Sequence, residues 1–159
     1  MKTSSHIAKH FKEVYFGGNW TCSNLKDNTS DLTWQQATTE VYSLNTIATL
    51  VYHINYYVNA VANVLEGKNL EAKDEFSFAH PTIASQEDWE AFLGLVWKDG
   101  KRFTSLIEKL PDETLWSFFT DEKYGIYFRN LQGIVEHTHY HLGQLALIKK
   151  IVLHKKTKH

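Results

Sequence analysis

Apolar positions recur every three or four residues along four long stretches of the chain, the period of an amphipathic helix rather than of a strand. The first carries Ile7, Phe11, Val14 and Tyr15 behind Ser4 or Ser5 as the cap, and the pair Gly17-Gly18 interrupts it. The second runs from Asn45 to Glu66, with Gly67 placed to end it. A third opens at Ser85 with Asp88 three residues on, continues through Trp89, Phe92, Leu93, Val96, Phe103, Leu106 and Ile107, and stops at Pro111. The last extends from about Tyr127 to Leu153 without a proline. No internal repeat and no alternation of strand with helix accompanies them. The pattern therefore predicts an all-α chain, a four-helix bundle forming one domain over residues 1–159.

The connections are less regular. Asn19 to Asp27 reads as a resumption of helix with Trp20 turned inward, and Trp34 to Ala37 as a short helical turn within a polar link. Lys68 to Ala84 has no helical period and is long for a bundle connection. It reads either as a crossover joining helices on opposite sides of the bundle or as a segment lying across a site. Asp112 to Gly125 reads as loop with a short helical or extended piece.

Helical phase sorts the nine histidines. On the last helix His137 and His141 stand four residues apart, one above the other on a single face, the spacing at which two imidazoles share one metal. Ile134, Leu145, Ile148 and Val152 project within about 40° of His141, so that face is the apolar one. His139 falls on the far side with Glu136, Gly143 and Lys150. On the second helix His53 lies within an arc made by Leu50, Ile54, Tyr57, Ala60, Val61 and Val64. The remaining histidines occupy a polar first helix (His6, His10), a loop before Pro81 (His80) or a lysine-rich tail (His154, His159). Three inward imidazoles on two helices follow. Burying them without partners costs a few kcal/mol, and a metal ion is one way to compensate them.

One histidine midway along the second helix (Leu50-Val51-Tyr52-His53), then His137-Thr138-His139-Tyr140-His141-Leu142-Gly143-Gln144 on the last, resembles the DinB/YfiT-like superfamily of metal-binding four-helix bundles. As a pattern the resemblance covers Phe11 to Ile151. It implies a metal-dependent enzyme with His53, His137 and His141 as ligands, with S-transfer from a low-molecular-weight thiol as the first reaction and hydrolysis as the second. It also implies a homodimer. A non-catalytic bundle that binds a metal or another ligand is the alternative from a different class.

The chemistry of the donors agrees with such a site. Three neutral imidazoles suit a borderline divalent ion such as zinc or nickel, and three protein ligands leave room for a small-molecule substrate. Gln144, one turn beyond His141, reads as a contact to whatever binds there or as a brace for the ligand. Glu136 adjoins His137 but lies on the solvent side, and no catalytic residue is assigned. Among Tyr52, Tyr56, Tyr57 and Tyr140, one hydroxyl could reach the pocket; phase alone does not choose it.

Composition adds exclusions. A net charge of -1 and a pI near 6.7 give no electrostatic footprint for nucleic acid. No apolar run approaches the roughly 20 residues of a membrane span. A single cysteine, Cys22, gives no disulfide framework. With no signal-like apolar segment at the start, the expected location is cytoplasmic. The tail His154 to His159 reads as a solvated end.

Overall fold

The computed structural model of the protein describes residues 2–155, the side chain of residue 155 aside. The described residues are helical throughout their regular structure, with only isolated bridges between Val41 and Leu44 and between Phe118 and Ile126. Four long helices, α1 (Thr3–Phe16), α4 (Ile47–Leu65), α5 (Gln86–Lys109) and α6 (Tyr127–Lys155), carry the architecture. Two short ones, α2 (Leu25–Thr29) and α3 (Trp34–Ala37), sit in the first connection. None of the described helices is long and apolar enough to cross a membrane.

Contacts between named side chains fix the arrangement. Phe11 packs edge-on against Phe103, and Phe16 meets Trp97, so α1 and α5 run antiparallel. Tyr52 stacks on Phe92, Asn55 and Asn59 both donate to Asp99 Oδ2, and Arg102 donates to Asn63, so α4 and α5 run parallel. His53 meets His141, and Tyr57 meets His137 one turn further along α4 and one turn back along α6; these two are antiparallel. Around the bundle the order is α1, α5, α4, α6. The apolar faces read from the sequence meet in the middle: Phe11, Ile54, Phe103, Leu131 and Leu145 are all fully buried.

This arrangement corrects the crossover reading of the 68–84 segment. Helices α4 and α5 are neighbours, not opposite members. Because they are also parallel, the chain must run back along the whole of α4, about 28 Å for 19 residues, before α5 can start. The connection is long for that reason, and the return path lies over the histidines. Within it Asp74–Phe76 form a single 3-10 turn.

Helix ends follow local chemistry in most places. Thr46 caps α4 through Thr49 N–H, Ser85 caps α5 through Asp88 N–H, and Gly67 leaves α4 at φ +82°, where a side chain would be strained. Two expectations are corrected. Neither Ser4 nor Ser5 caps α1: the Thr3 and Ser4 N–H groups donate to the Asp112 carboxylate at 2.7 and 2.9 Å, from 109 and 108 residues away. Trp20 is 96% exposed rather than inward. The Asn19 amide closes a turn on Thr21 and Ser23, Asn24 caps the next helix, and the buried place goes to Leu25.

Two predictions follow from this packing. The hydrogen bonds from Ser4 and Thr3 hold the Asp112 carboxyl below its usual range. A depressed carboxylate contributes stability above its unfolded value, and that contribution is lost as pH falls through the folded one. Asp112→Ala should therefore lower the melting temperature by a few degrees at pH 7. In thermal melts followed by circular dichroism, the gap to wild type should close as pH falls below the usual carboxylate range. At the α1–α5 crossing, a Cβ on Gly100 would stand 2.7 Å from Tyr15 Cδ1, within a ring that is fully buried. Overpacking of about 1–3 kcal/mol should outweigh the roughly 1 kcal/mol that alanine returns in helix propensity, so Gly100→Ala should unfold at lower denaturant.

Candidate metal centre

The three histidines singled out by phase converge. His53 and His141 are 5% and 9% exposed and His137 is half-buried. Each offers one ring nitrogen, and these nitrogens lie within 4.8 Å of one another. His53 and His137 stand Nε2 to Nε2 at 3.1 Å. Two nitrogens on one zinc at bonds of about 2.0–2.1 Å stand roughly 3.3 Å apart in a tetrahedral shell. The His53–His137 pair already has about that spacing.

The outer nitrogens show which lone pairs are free. His141 Nδ1–H donates to Gln144 Oε1 at 2.8 Å, since an amide oxygen only accepts. Ser77 Oγ donates to the Asp74 carbonyl at 2.7 Å, so toward His53 it accepts, and His53 Nδ1–H donates at 2.9 Å. Both rings are thereby held with Nε2 unprotonated, the orientation in which a histidine ligand is braced by its other nitrogen. His137 Nδ1 is buried with no hydrogen-bond partner, so the cluster does not satisfy itself. A proton on His137 Nε2 could serve His53 but would leave that atom orphaned.

Burial disfavours the charged form of His53 and His137. It is the main cause holding His53 below the usual imidazole range, with His141 second. His137 is pushed down to about 4 by burial, then by His141 and His53, with Asp74 pulling the other way. Protonated imidazoles would repel one another here, whereas neutral ones present lone pairs. The donor set fits a borderline divalent ion.

Several groups around the cluster come from the return segment and carried no signal in the sequence. Phe78 stacks over His53 with centroids 4.1 Å apart and planes 16° from parallel. Asp74 accepts from Tyr57 OH at 2.8 Å, and Tyr57 stands edge-on to both His53 and His137. Tyr57 is thus the tyrosine that reaches the pocket, its phenol pushed up first by burial and then by Asp74. Tyr56 OH instead accepts from Lys73 N–H, Tyr52 packs on Phe92, and Tyr140 is largely exposed. A cavity of about 580 Å³ opens beside the histidines, lined by His53, Tyr57, Asp74, Phe119, Arg129 and His137 among others.

Other marked residues fall elsewhere. His139 lies across α6 near His10, with ring centroids 6.1 Å apart, away from the cluster. Glu136 is exposed, as its phase requires, although it also lines the cavity. Gln144 braces His141, whereas a Cβ on Gly143 would meet nothing within 4 Å, so no close approach explains that glycine. Residues 156–159 of the basic tail lie outside the described residues. Compared with protein-family models, curated proteins and solved structures, the chain finds no match.

Metal analysis of untagged protein reconstituted with zinc or nickel should find one divalent ion. His53→Ala, His137→Ala and His141→Ala should each lose it, and His139→Ala should retain it. Ser77→Ala and Gln144→Ala should keep the fold and weaken affinity by about 10–100-fold, measured by competition with a chromophoric chelator.

Proposed function

We propose that the protein is a metal-dependent enzyme of the DinB-like kind, acting on a small molecule bound beside a divalent ion held by His53, His137 and His141. The observation that carries this reading is the convergence of three imidazoles, their nitrogens within 4.8 Å of one another, beside a cavity large enough for a substrate. A purely structural site would be closed by a fourth protein ligand. Here no carboxylate or thiol joins the three histidines among the described residues.

A zinc or nickel ion bound there supplies Lewis acidity, which favours the thiolate form of a bound thiol or polarises an ester or amide carbonyl. The chain's own groups do the rest. Ser77 and Gln144 hold the rings in orientation. Phe78 covers His53 and limits the approach of water from that side. Tyr57 presents a proton-bearing hydroxyl at the cavity wall, donating to Asp74 at 2.8 Å. The resemblance to DinB/YfiT-like proteins favours thiol S-transfer as the first reading: sulfur bonds to an electrophilic carbon, the leaving group departs with its electron pair, and the thiol proton passes to base or solvent. Hydrolysis stands second by the same analogy. Exposed Tyr140 and Leu147 on α6 support association as a homodimer, and the near-zero net charge supports a small molecule rather than nucleic acid as partner.

Zinc- and nickel-loaded protein should accelerate conjugation of cysteine or glutathione to an aryl chloride, followed by absorbance, with a nitrophenyl ester as the hydrolysis control. His137→Ala should fall to the rate of chelator-treated protein. Metal-replete protein that accelerates neither reaction would sink the enzyme reading and leave a metal-binding bundle.

A further inference from the structure

The cavity beside the histidines is polarised from end to end. Arg129, Gly133 and His137 follow one another at four-residue intervals on one face of α6, and all three line it. At one end stands the histidine cluster, with Asp74 bonded to the Tyr57 hydroxyl and Glu136 next to His137. Just over two turns away, about 12 Å along the axis, stands Arg129 in the first turn of α6. The positive end of that helix's dipole adds to its charge. Between the two ends the wall is largely apolar, with Ala60, Val61, Leu70 and Ile134.

Arg129 is positioned rather than merely present. Its Nη1–H donates to the Tyr124 carbonyl at 3.0 Å. The stem crosses Gly125, where a Cβ would stand 3.2 Å from Arg129 Cδ, and Gly125 itself adopts φ +72°. A side chain at 125 would be strained and would press on the arginine. Yet Arg129 takes part in none of the ion pairs among the described residues, which use Lys9, Lys68, Arg102 and Lys149. Gly133 leaves the middle of the cavity open, since a Cβ there would meet nothing within 4 Å.

We propose that the cavity takes an elongated, mainly apolar molecule bearing a single carboxylate, with the carboxylate on Arg129 and the far end at the histidines. A guanidinium matches a carboxylate through two parallel N–H bonds. With one cation lining that end, a monoanion is balanced and a dianion is not. The assignment of the far end as the reacting end rests on the metal-enzyme reading; the anion subsite does not.

Octanoate and its neutral isostere octanamide test this by titration calorimetry on the full chain, at low salt and after chelator treatment, with zinc uptake measured on the same preparations. Octanoate should bind roughly tenfold or more tighter than octanamide, and Arg129→Gln should remove that difference. Gly133→Leu, which fills open space and adds helix propensity, should weaken both ligands without lowering the melting temperature or zinc uptake. Equal binding of the two ligands, absence of binding, or an Arg129→Gln protein that still prefers octanoate overturns the proposal. Zinc taken up by the three histidines without a carboxylate preference overturns the subsite alone. A carboxylate preference without zinc uptake overturns the metal reading alone.

Discussion

The packing of three imidazoles against one another between two antiparallel helices is the constraint on which the rest of the site depends. Each ring brings two polar nitrogens into an apolar bundle, and each nitrogen left without a partner costs free energy. The chain answers with Ser77 for His53 and Gln144 for His141. It supplies none for His137 Nδ1. An apolar side chain at any of these positions would bring no nitrogen that needs a partner, so the cluster carries a stability cost that a bound ion would offset.

Bundle topology decides what surrounds that cluster. If α4 and α5 were antiparallel, a tight turn could join them and the face of α4 bearing His53 would lie open. Their parallel alignment, fixed by Asp99 between Asn55 and Asn59, obliges the chain to travel back along α4. On that path it lays down Asp74 at Tyr57 and then Ser77 and Phe78 at His53, in reverse order along the helix. The brace, the cover and the tyrosine's partner are thus consequences of one connection.

The histidines were legible in the sequence because a helix turns by a fixed angle, so burial of His53 and His141 follows from their apolar neighbours. The four long helices and the α4 and α5 termini were legible for the same reason, aided by local signals such as Ser85 and Gly67. What has no period could not be read. Ser77, Phe78 and Asp74 reach the site through a loop whose path depends on helix direction, which spacing does not encode. Asp112 caps α1 from across the chain, a long-range contact that a search for a nearby serine misses. Trp20 was drawn inward by its hydrophobicity, but the Asn19 turn and the Asn24 cap reset the phase and placed Leu25 in the core instead.

The hydrogen bond from His53 to Ser77, described above as a brace, also joins two equilibria. Whatever withdraws electrons from His53 Nε2 makes its Nδ1–H a better donor and so tightens the 73–78 segment on α4. By reciprocity, whatever loosens that segment weakens His53 as a ligand by the same free energy. Occupancy at the histidines and order in the return loop are therefore coupled quantities. A molecule that pries Phe78 from the imidazole would change the affinity for an ion held there without touching it.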